Sequence, residues 1–96
     1  MSMSTTTTRI PQVGELWLVH YPYCTPGGYE KIRPGIVVGF GKDDEVFIRK
    51  ITTRNKRGNK PFNHPKLKRQ SFLTREIQKV RDYSLIRYIG KTEIGV

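Results

Sequence analysis

The stretch KIRPGIVVGF, residues 31–40, places basic residues and a proline directly before a run of branched apolar residues. Such a run predicts a buried β-strand over residues 34–40, because proline is best tolerated at the first position of a strand. A residue that precedes proline is held in extended geometry, so Arg33 is expected to project from the rim of the fold. The sequence therefore predicts a fixed arginine where this strand begins.

The segments on either side of this strand have a similar β-type composition. Branched and aromatic residues dominate residues 15–21 and 45–53, and residues 71–74 and 78–80 are two shorter runs of the same kind. Turn-forming residues separate the runs, and nothing in their order suggests a βαβ unit. The sequence therefore favours a small, mainly β barrel.

The C-terminal part of the chain has the pattern of one short helix. Ser84 is placed to cap the first backbone donors of a helical turn, and Gly90 supplies a stop after the apolar residues between them. The serine- and threonine-rich residues 1–10 have little to bury and predict a disordered N-terminal arm. We therefore expect a single barrel domain over residues 11–96 with one short C-terminal helix.

Charge is the strongest compositional signal, with a formal net charge of +10 on 96 residues. Residues 46–75 contain ten Lys and Arg and no acidic residue, so this segment accounts for the whole excess. Its middle part, residues 54–66, has few apolar residues and predicts a long exposed loop. Phosphate backbones neutralise such a run while releasing counterions. Nucleic acid is therefore the favoured partner, and an acidic protein is the alternative.

The sequence carries no signal for membrane insertion, a disulfide or a cofactor. No apolar run approaches the roughly 20 residues of a membrane span, and the N-terminal segment lacks the apolar centre of a signal peptide. Cys24 is the single cysteine, which excludes an internal disulfide and argues against a cysteine-based metal cage. We expect a cytoplasmic protein that contacts no membrane and uses no metal or cofactor.

Arg33 and Thr52 are the first candidates for a functional site. In an antiparallel meander, the start of the second strand and the end of the third lie at the same edge of the sheet, so the two residues are expected to be neighbours. A guanidinium beside a hydroxyl forms a suitable pocket for one phosphate. In the alternative interpretation, Arg33 packs on Tyr29 and pairs with Glu30, and Thr52 is an ordinary strand residue.

Several short motifs resemble, in their order and spacing, the MazF/PemK-type toxins of bacterial toxin–antitoxin systems. GELWLV at residues 14–19 is similar to the opening strand of that family, RPGIVV at residues 33–38 to its Arg-Pro signature, and ITT at residues 51–53 to its third motif. LKRQSF at residues 67–72 and LIRYIGK at residues 85–91 resemble segments of one branch of the family. The resemblance covers most of the chain.

The resemblance implies an SH3-like barrel of the CcdB/MazF/PemK type that forms a homodimer and cleaves single-stranded mRNA without metal. In that chemistry the ribose 2′-OH attacks the adjacent phosphate and leaves a 2′,3′-cyclic phosphate. Arg33 and Thr52 are the catalytic residues that the resemblance carries over, with Glu76 as a candidate base. An acidic antitoxin protein is the implied partner.

The remaining site predictions concern contacts with RNA. Flexible basic residues follow phosphates well and read bases poorly, while an aromatic ring near Arg33 is able to stack on a base. The predicted RNA-binding residues are Tyr29, Lys31, Thr53, Arg54, Lys56, Arg57, Lys60 and His64. The alternative function is that of an SH3-like module that binds nucleic acid and cuts nothing.

Overall fold

A computed structural model describes residues 9–22 and 30–93 of the chain, and these residues form a mainly β structure. One antiparallel sheet has the strand order β4-β5-β3-β2-β1-β6. The strands are β1 (Glu15–Pro22), β2 (Glu30–Phe40), β3 (Glu45–Thr52), β4 (Lys60–Phe62), β5 (Ser71–Arg81) and β6 (Leu85–Lys91). The prediction of a mainly β fold is confirmed. Residues 1–8 of the predicted N-terminal arm lie outside the described residues.

Strand β2 begins earlier than the sequence predicts, so Arg33 and Pro34 lie inside the strand and not at its start. Both residues continue the ladder with β1, where Val19 faces Arg33 and Leu18 faces Pro34. The ladder with β3 begins at Gly35, just after the proline. The missing N–H of Pro34 is tolerated because the strand is paired on only one side at this point.

The predicted C-terminal helix is wrong. A single 3-10 turn covers Asp82–Ser84, and the residues after it form β6, which pairs with β1. Leu85 and Ile89 are buried in two different core clusters. Residues four apart share a face in a regular strand, so this separation reflects the register irregularities in the β6–β1 ladder. Tertiary pairing has therefore overridden the local signals of Ser84 and Gly90.

The two brief strands predicted near residue 75 are one long strand, β5. Polar residues interrupt the apolar pattern in the middle of this segment, which is why the sequence suggests a break. The pairing of β5 with β3 continues through the segment but has an irregularity there, between Arg49 and Ile51 on the β3 side. Strand β4 is also absent from the prediction, because it lies within the segment read as one continuous basic loop.

Both faces of the central strands are covered by core side chains. Leu16 and Ile36 belong to one apolar cluster, and their chain neighbours Trp17 and Val37 belong to the other. This arrangement explains why the strands read as continuous apolar runs without polar alternation.

The sheet is curled so that its two outer strands approach each other. Phe62 of β4 and Ile89 of β6 join the same core cluster, although four strands separate them in the sheet. Beyond these residues, the Nε2 atom of His64 lies 3.1 Å from the Lys91 carbonyl oxygen. Within the described residues no β-ladder joins β4 and β6, so the sheet is a half-barrel held near its seam by side chains.

The part of the chain that the structure describes contains no helix of the length and apolarity that a membrane span requires.

Candidate active site

An open groove lies where β2, β3 and β5 meet the loop that follows β3, and its volume is about 400 Å³. We call it the basic groove, because one carboxylate and six cationic side chains line it. The carboxylate is Glu76, and the cations are Lys31, Arg33, Lys50, Arg54, Lys56 and Arg75. Such an excess of positive charge favours a ligand with several negative charges.

Arg33 and Thr52 both line the basic groove, as expected for neighbours in an antiparallel pair. Gly35 faces Lys50 in the β2–β3 ladder, and continuing this register by two residues on each strand places Arg33 opposite Thr52. The β2–β3 ladder, which ends at Gly35 and Lys50, therefore brings the guanidinium and the hydroxyl to the same end of the two strands.

The side chain of Arg33 is exposed and makes one weak local contact. Its Nη1 atom donates to the carbonyl oxygen of its neighbour Ile32 at 3.3 Å. Within the described residues it forms no ion pair with a carboxylate. Tyr29 and the side chain of Glu30, the partners in the alternative interpretation, lie outside the described part of the structure. The guanidinium fork is therefore presented to a ligand in the groove.

Thr52 is partly buried, and its side chain stabilises the backbone just after β3. Its Oγ1 atom accepts a hydrogen bond from the Arg54 backbone N–H at 3.2 Å. A hydroxyl that accepts in this way still has its own proton to donate. Thr52 is therefore able to hold the turn and to donate to a phosphate oxygen at the same time.

Glycine at position 35 allows the floor of the groove to be closely packed. A Cβ atom there would overlap the hydroxyl of Tyr21 and the Cγ2 atom of Ile48, both on neighbouring strands. The buried Tyr21 ring thus fills the space beside the Arg33–Pro34 segment. Tyr21 and Ile48 come so close to residue 35 that only glycine fits there. The sequence alone did not indicate this packing.

Lys50 is a groove residue that sequence reasoning missed. Its side chain is partly buried, and its Nζ atom lies 5.6 Å from the centre of the Tyr21 ring. Its partner in the β2–β3 ladder is Gly35, beside which the Tyr21 hydroxyl is packed. Strict alternation along β3 would have found this lysine, because it lies two residues before Thr52 and shares its face.

Arg75 also lines the basic groove and was not predicted to do so. It lies between Thr74 and Glu76, and both of these neighbours line the groove as well. Three consecutive residues of a regular strand cannot share one face. Only the irregular part of β5 explains this placement, and no sequence signal indicated it.

The predicted RNA-binding residues fall into separate groups. Lys31, Thr53, Arg54 and Lys56 line the basic groove, whereas Arg57 and Lys60 do not. Tyr29 lies outside the described residues.

His64 lies in a second groove at the seam between β4 and β6. The backbone N–H of Lys66 donates to its Nδ1 atom at 3.1 Å, which leaves the ring proton on Nε2, facing the Lys91 carbonyl oxygen. Both ring nitrogens therefore contact backbone atoms near the seam, and His64 does not line the basic groove.

No model of a known protein family matches the chain, and a search of curated proteins finds no similar sequence.

Proposed function

We propose that this protein is a metal-independent endoribonuclease of the MazF/PemK type, built on an SH3-like barrel and acting on single-stranded RNA. The observation that carries the proposal is the basic groove, where Arg33, Thr52 and Glu76 lie among five further cations. The curled antiparallel sheet, with its outer strands held together near His64, supports the SH3-like assignment.

The proposed reaction forms the bond between the ribose 2′ oxygen and phosphorus and breaks the bond from phosphorus to the 5′ oxygen. Glu76 takes the proton of the 2′-OH as general base. Arg33 donates to the equatorial oxygens of the dianionic phosphorane, and the Thr52 hydroxyl donates to a non-bridging oxygen. The departing 5′ oxygen takes a proton from water, so the products are a 2′,3′-cyclic phosphate and a 5′-hydroxyl.

The exposed cations of the groove follow the RNA backbone in this proposal. Lys31, Arg54 and Lys56 are exposed and lie around the Arg33–Thr52 pair. Flexible charges of this kind contribute affinity without base preference, and their contribution decreases as salt concentration rises. The same charges are suited to an acidic antitoxin segment, which would then compete with RNA for the groove.

Homodimer formation and a cytoplasmic location belong to the same proposal. Exposed apolar side chains on the strands support a second copy as partner, with Ile32 50% exposed, Phe40 51% and Ile77 58%. Apolar residues at this exposure contribute to association when a partner covers them.

Cleavage in the presence of EDTA tests the proposal. Purified protein is incubated with a long single-stranded RNA, and the ends of the fragments are mapped. Discrete cuts that leave a 2′,3′-cyclic phosphate are the expected result, and the Arg33→Ala variant serves as a matched control against contaminating nucleases.

The second candidate function is RNA binding without cleavage, which the open shape and high charge of the groove also allow. Retention of RNA with no cut across several sequences would favour it over the nuclease. A 2′-deoxy version of the RNA separates the two functions further, because it lacks the nucleophile but keeps the phosphates.

A further inference from the structure

Strand β5 contains an insertion relative to its partner β3, and this insertion faces the basic groove. Ile51 pairs with Leu73, but Arg49, only two residues earlier on β3, pairs with Ile77, four residues further along β5. The unmatched residues of β5 therefore form a bulge between two regular stretches of ladder. We call residues 74–76 the β5 bulge.

The bulge brings three consecutive residues to one surface. Thr74, Arg75 and Glu76 all line the groove, whereas regular alternation would direct Arg75 to the opposite face from its neighbours. Bulges near functional sites commonly re-aim side chains in this way. The placement of the Glu76 carboxylate therefore depends on the bulge keeping its conformation.

Two cross-strand hydrogen bonds hold the β5 bulge to β3. The Nε atom of Arg49 donates to the Thr74 carbonyl oxygen at 2.7 Å, and the Thr74 hydroxyl donates to the Lys50 carbonyl oxygen at 3.0 Å. Both side chains are partly buried. The Arg49 bond is charge-assisted and short, which makes it the stronger of the two.

Arg49 is used differently from the other cations of its segment. Its chain neighbour Lys50 lines the basic groove, as does Thr52, whereas Arg49 does not. Its guanidinium instead satisfies a β5 carbonyl that the bulge has removed from the regular ladder. Arg49 therefore acts on the groove through the backbone and not through contact with a ligand.

We infer that Arg49 and Thr74 are positioning residues that hold the β5 bulge, so that Glu76 reaches the 2′-OH of a bound RNA. The inference rests on the proposed nuclease function, because it assigns the bulge to the proton transfer of that reaction. Neither residue contacts the reacting atoms.

Thr74→Val is the main test, because valine has nearly the same shape and lacks the hydroxyl. We expect kcat for RNA cleavage to decrease about tenfold, as for the loss of one buried hydrogen bond of about 1.4 kcal/mol. Affinity for the 2′-deoxy RNA should stay within about twofold, because the groove cations are unchanged. Thr74→Ser keeps the hydroxyl and should restore most of the rate.

The pH dependence of cleavage separates positioning from a general structural role. If Glu76 no longer reaches the 2′-OH, hydroxide from solution must take that proton, so the cleavage rate of Thr74→Val and Arg49→Met should rise more steeply with pH than that of the wild type. A variant that is merely less stable would lower the melting temperature and keep the shape of the profile. Arg87→Met, at an exposed arginine of β6 that does not line the groove, is the matched control for the lost charge.

The outcomes distinguish this inference from the proposed function. A wild-type protein that cuts no RNA overturns both. An active wild type with unchanged kcat and pH profile in Thr74→Val and Arg49→Met overturns the inference alone. If either variant fails to fold, Arg49→Lys is measured instead, and the amide NMR shifts of residues 75 and 76 must move if the Arg49 side chain holds the bulge.

Discussion

Two regions of the molecule each contain an arginine and a glutamate, and they use them in opposite ways. Glu15 is 2% exposed, and it accepts hydrogen bonds from Arg9 Nη2 at 2.7 Å and from Trp17 Nε1 at 3.0 Å. In the basic groove, Arg33 and Glu76 are exposed, and Arg33 donates only to a neighbouring carbonyl. Satisfied charges at the first site stabilise the fold, and the charges at the second remain available to a ligand.

The first region is a closed cluster, which we call the Glu15 cluster. Arg9 also lies over the ring of Tyr88 at 3.8 Å from its centre, and that ring packs edge-on against Trp17. The backbone N–H of Gln12 adds a third donor to the Glu15 carboxylate at 2.9 Å. The cluster therefore ties the segment before β1 to β6.

These contacts set the ionisation of Glu15. Burial of the carboxylate raises its pKa, but the hydrogen bonds from Arg9, Trp17 and the Gln12 backbone outweigh burial and leave the pKa below its ordinary value. A group with a lowered pKa in the folded state stabilises the fold when it is ionised.

Arg33→Ala is expected to have the largest effect on activity. Loss of a charged contact to the phosphorane costs about 3 kcal/mol, which lowers the cleavage rate roughly one hundredfold. Because the side chain is exposed, the free energy of unfolding should change by less than about 0.5 kcal/mol. Rates are measured with an end-labelled RNA and stability by urea denaturation.

Arg9→Ala is the matched arginine variant for this measurement. It should lower stability, because it removes a partner of the buried Glu15, and it should leave the intrinsic cleavage rate unchanged. A wild-type rate in Arg33→Ala, or an Arg9→Ala protein that is stable but inactive, would reverse the comparison between the two regions.

Glu15→Gln is expected to have the next largest effect, this time on stability. The neutral amide loses the charge that Arg9 and Trp17 stabilise, which should lower the free energy of unfolding by about 2 kcal/mol at neutral pH. The wild type keeps this contribution above the unfolded pKa of about 4.3 and loses it as the pH falls through the lower folded value.

Urea denaturation between about pH 7 and pH 3 checks the Glu15 prediction, because the variant and the wild type should converge at the acidic end. Glu76→Gln is the control, and it should leave stability unchanged across this range while cleavage falls. A constant difference between Glu15→Gln and the wild type at all pH values would show that packing, and not charge, dominates the Glu15 cluster.

Strands β1 to β3 and the placement of Arg33 and Thr52 at one groove were predictable because both depend on residues near each other in the chain. Apolar runs indicated β1 to β3, and a meander of successive strands fixes which ends lie together. The C-terminal helix prediction failed because β6 pairs with β1, which is distant in sequence. Local signals such as Ser84 and Gly90 contain no information about that ladder.

Only some of the residues that line the groove were predictable, because the others depend on irregular strand pairing. Glu76 was placed in the groove by the family resemblance, but Arg75 was not predicted, because a bulge breaks the alternation on which such reasoning depends. His64 was assigned to RNA as part of one basic loop. Strand β4 interrupts that loop, and His64, which follows it, lies at the seam with β6.

Lys50→Met tests whether a groove lysine on a strand contributes differently to cleavage from a groove lysine in a loop. Methionine keeps the apolar stem, and loss of the ammonium should lower the cleavage rate about tenfold, as for one charged hydrogen bond of about 1.5 kcal/mol. A partly buried charge is screened little by salt, so the loss should persist at about 0.5 M salt. The effect of Lys56→Met, at an exposed loop position, should disappear under the same conditions. Equal salt dependence of the two variants would contradict the assignment of Lys50 to the groove floor.

Thr52→Ala is expected to have the smallest effect. A neutral hydroxyl contributes about 1 kcal/mol to a phosphate contact, so the rate should decrease roughly fivefold. Thr52→Ser keeps the hydroxyl that accepts from the Arg54 N–H and should remain near the wild-type rate. Thr52→Val preserves the branched shape of the strand residue and separates the lost hydroxyl from lost packing. Both variants leave the buried Glu15 cluster intact, so a difference in rate between them reports on the groove and not on stability. If Thr52→Ala lowered the rate more than Arg33→Ala, the threonine and not the arginine would be the main contact of the phosphorane.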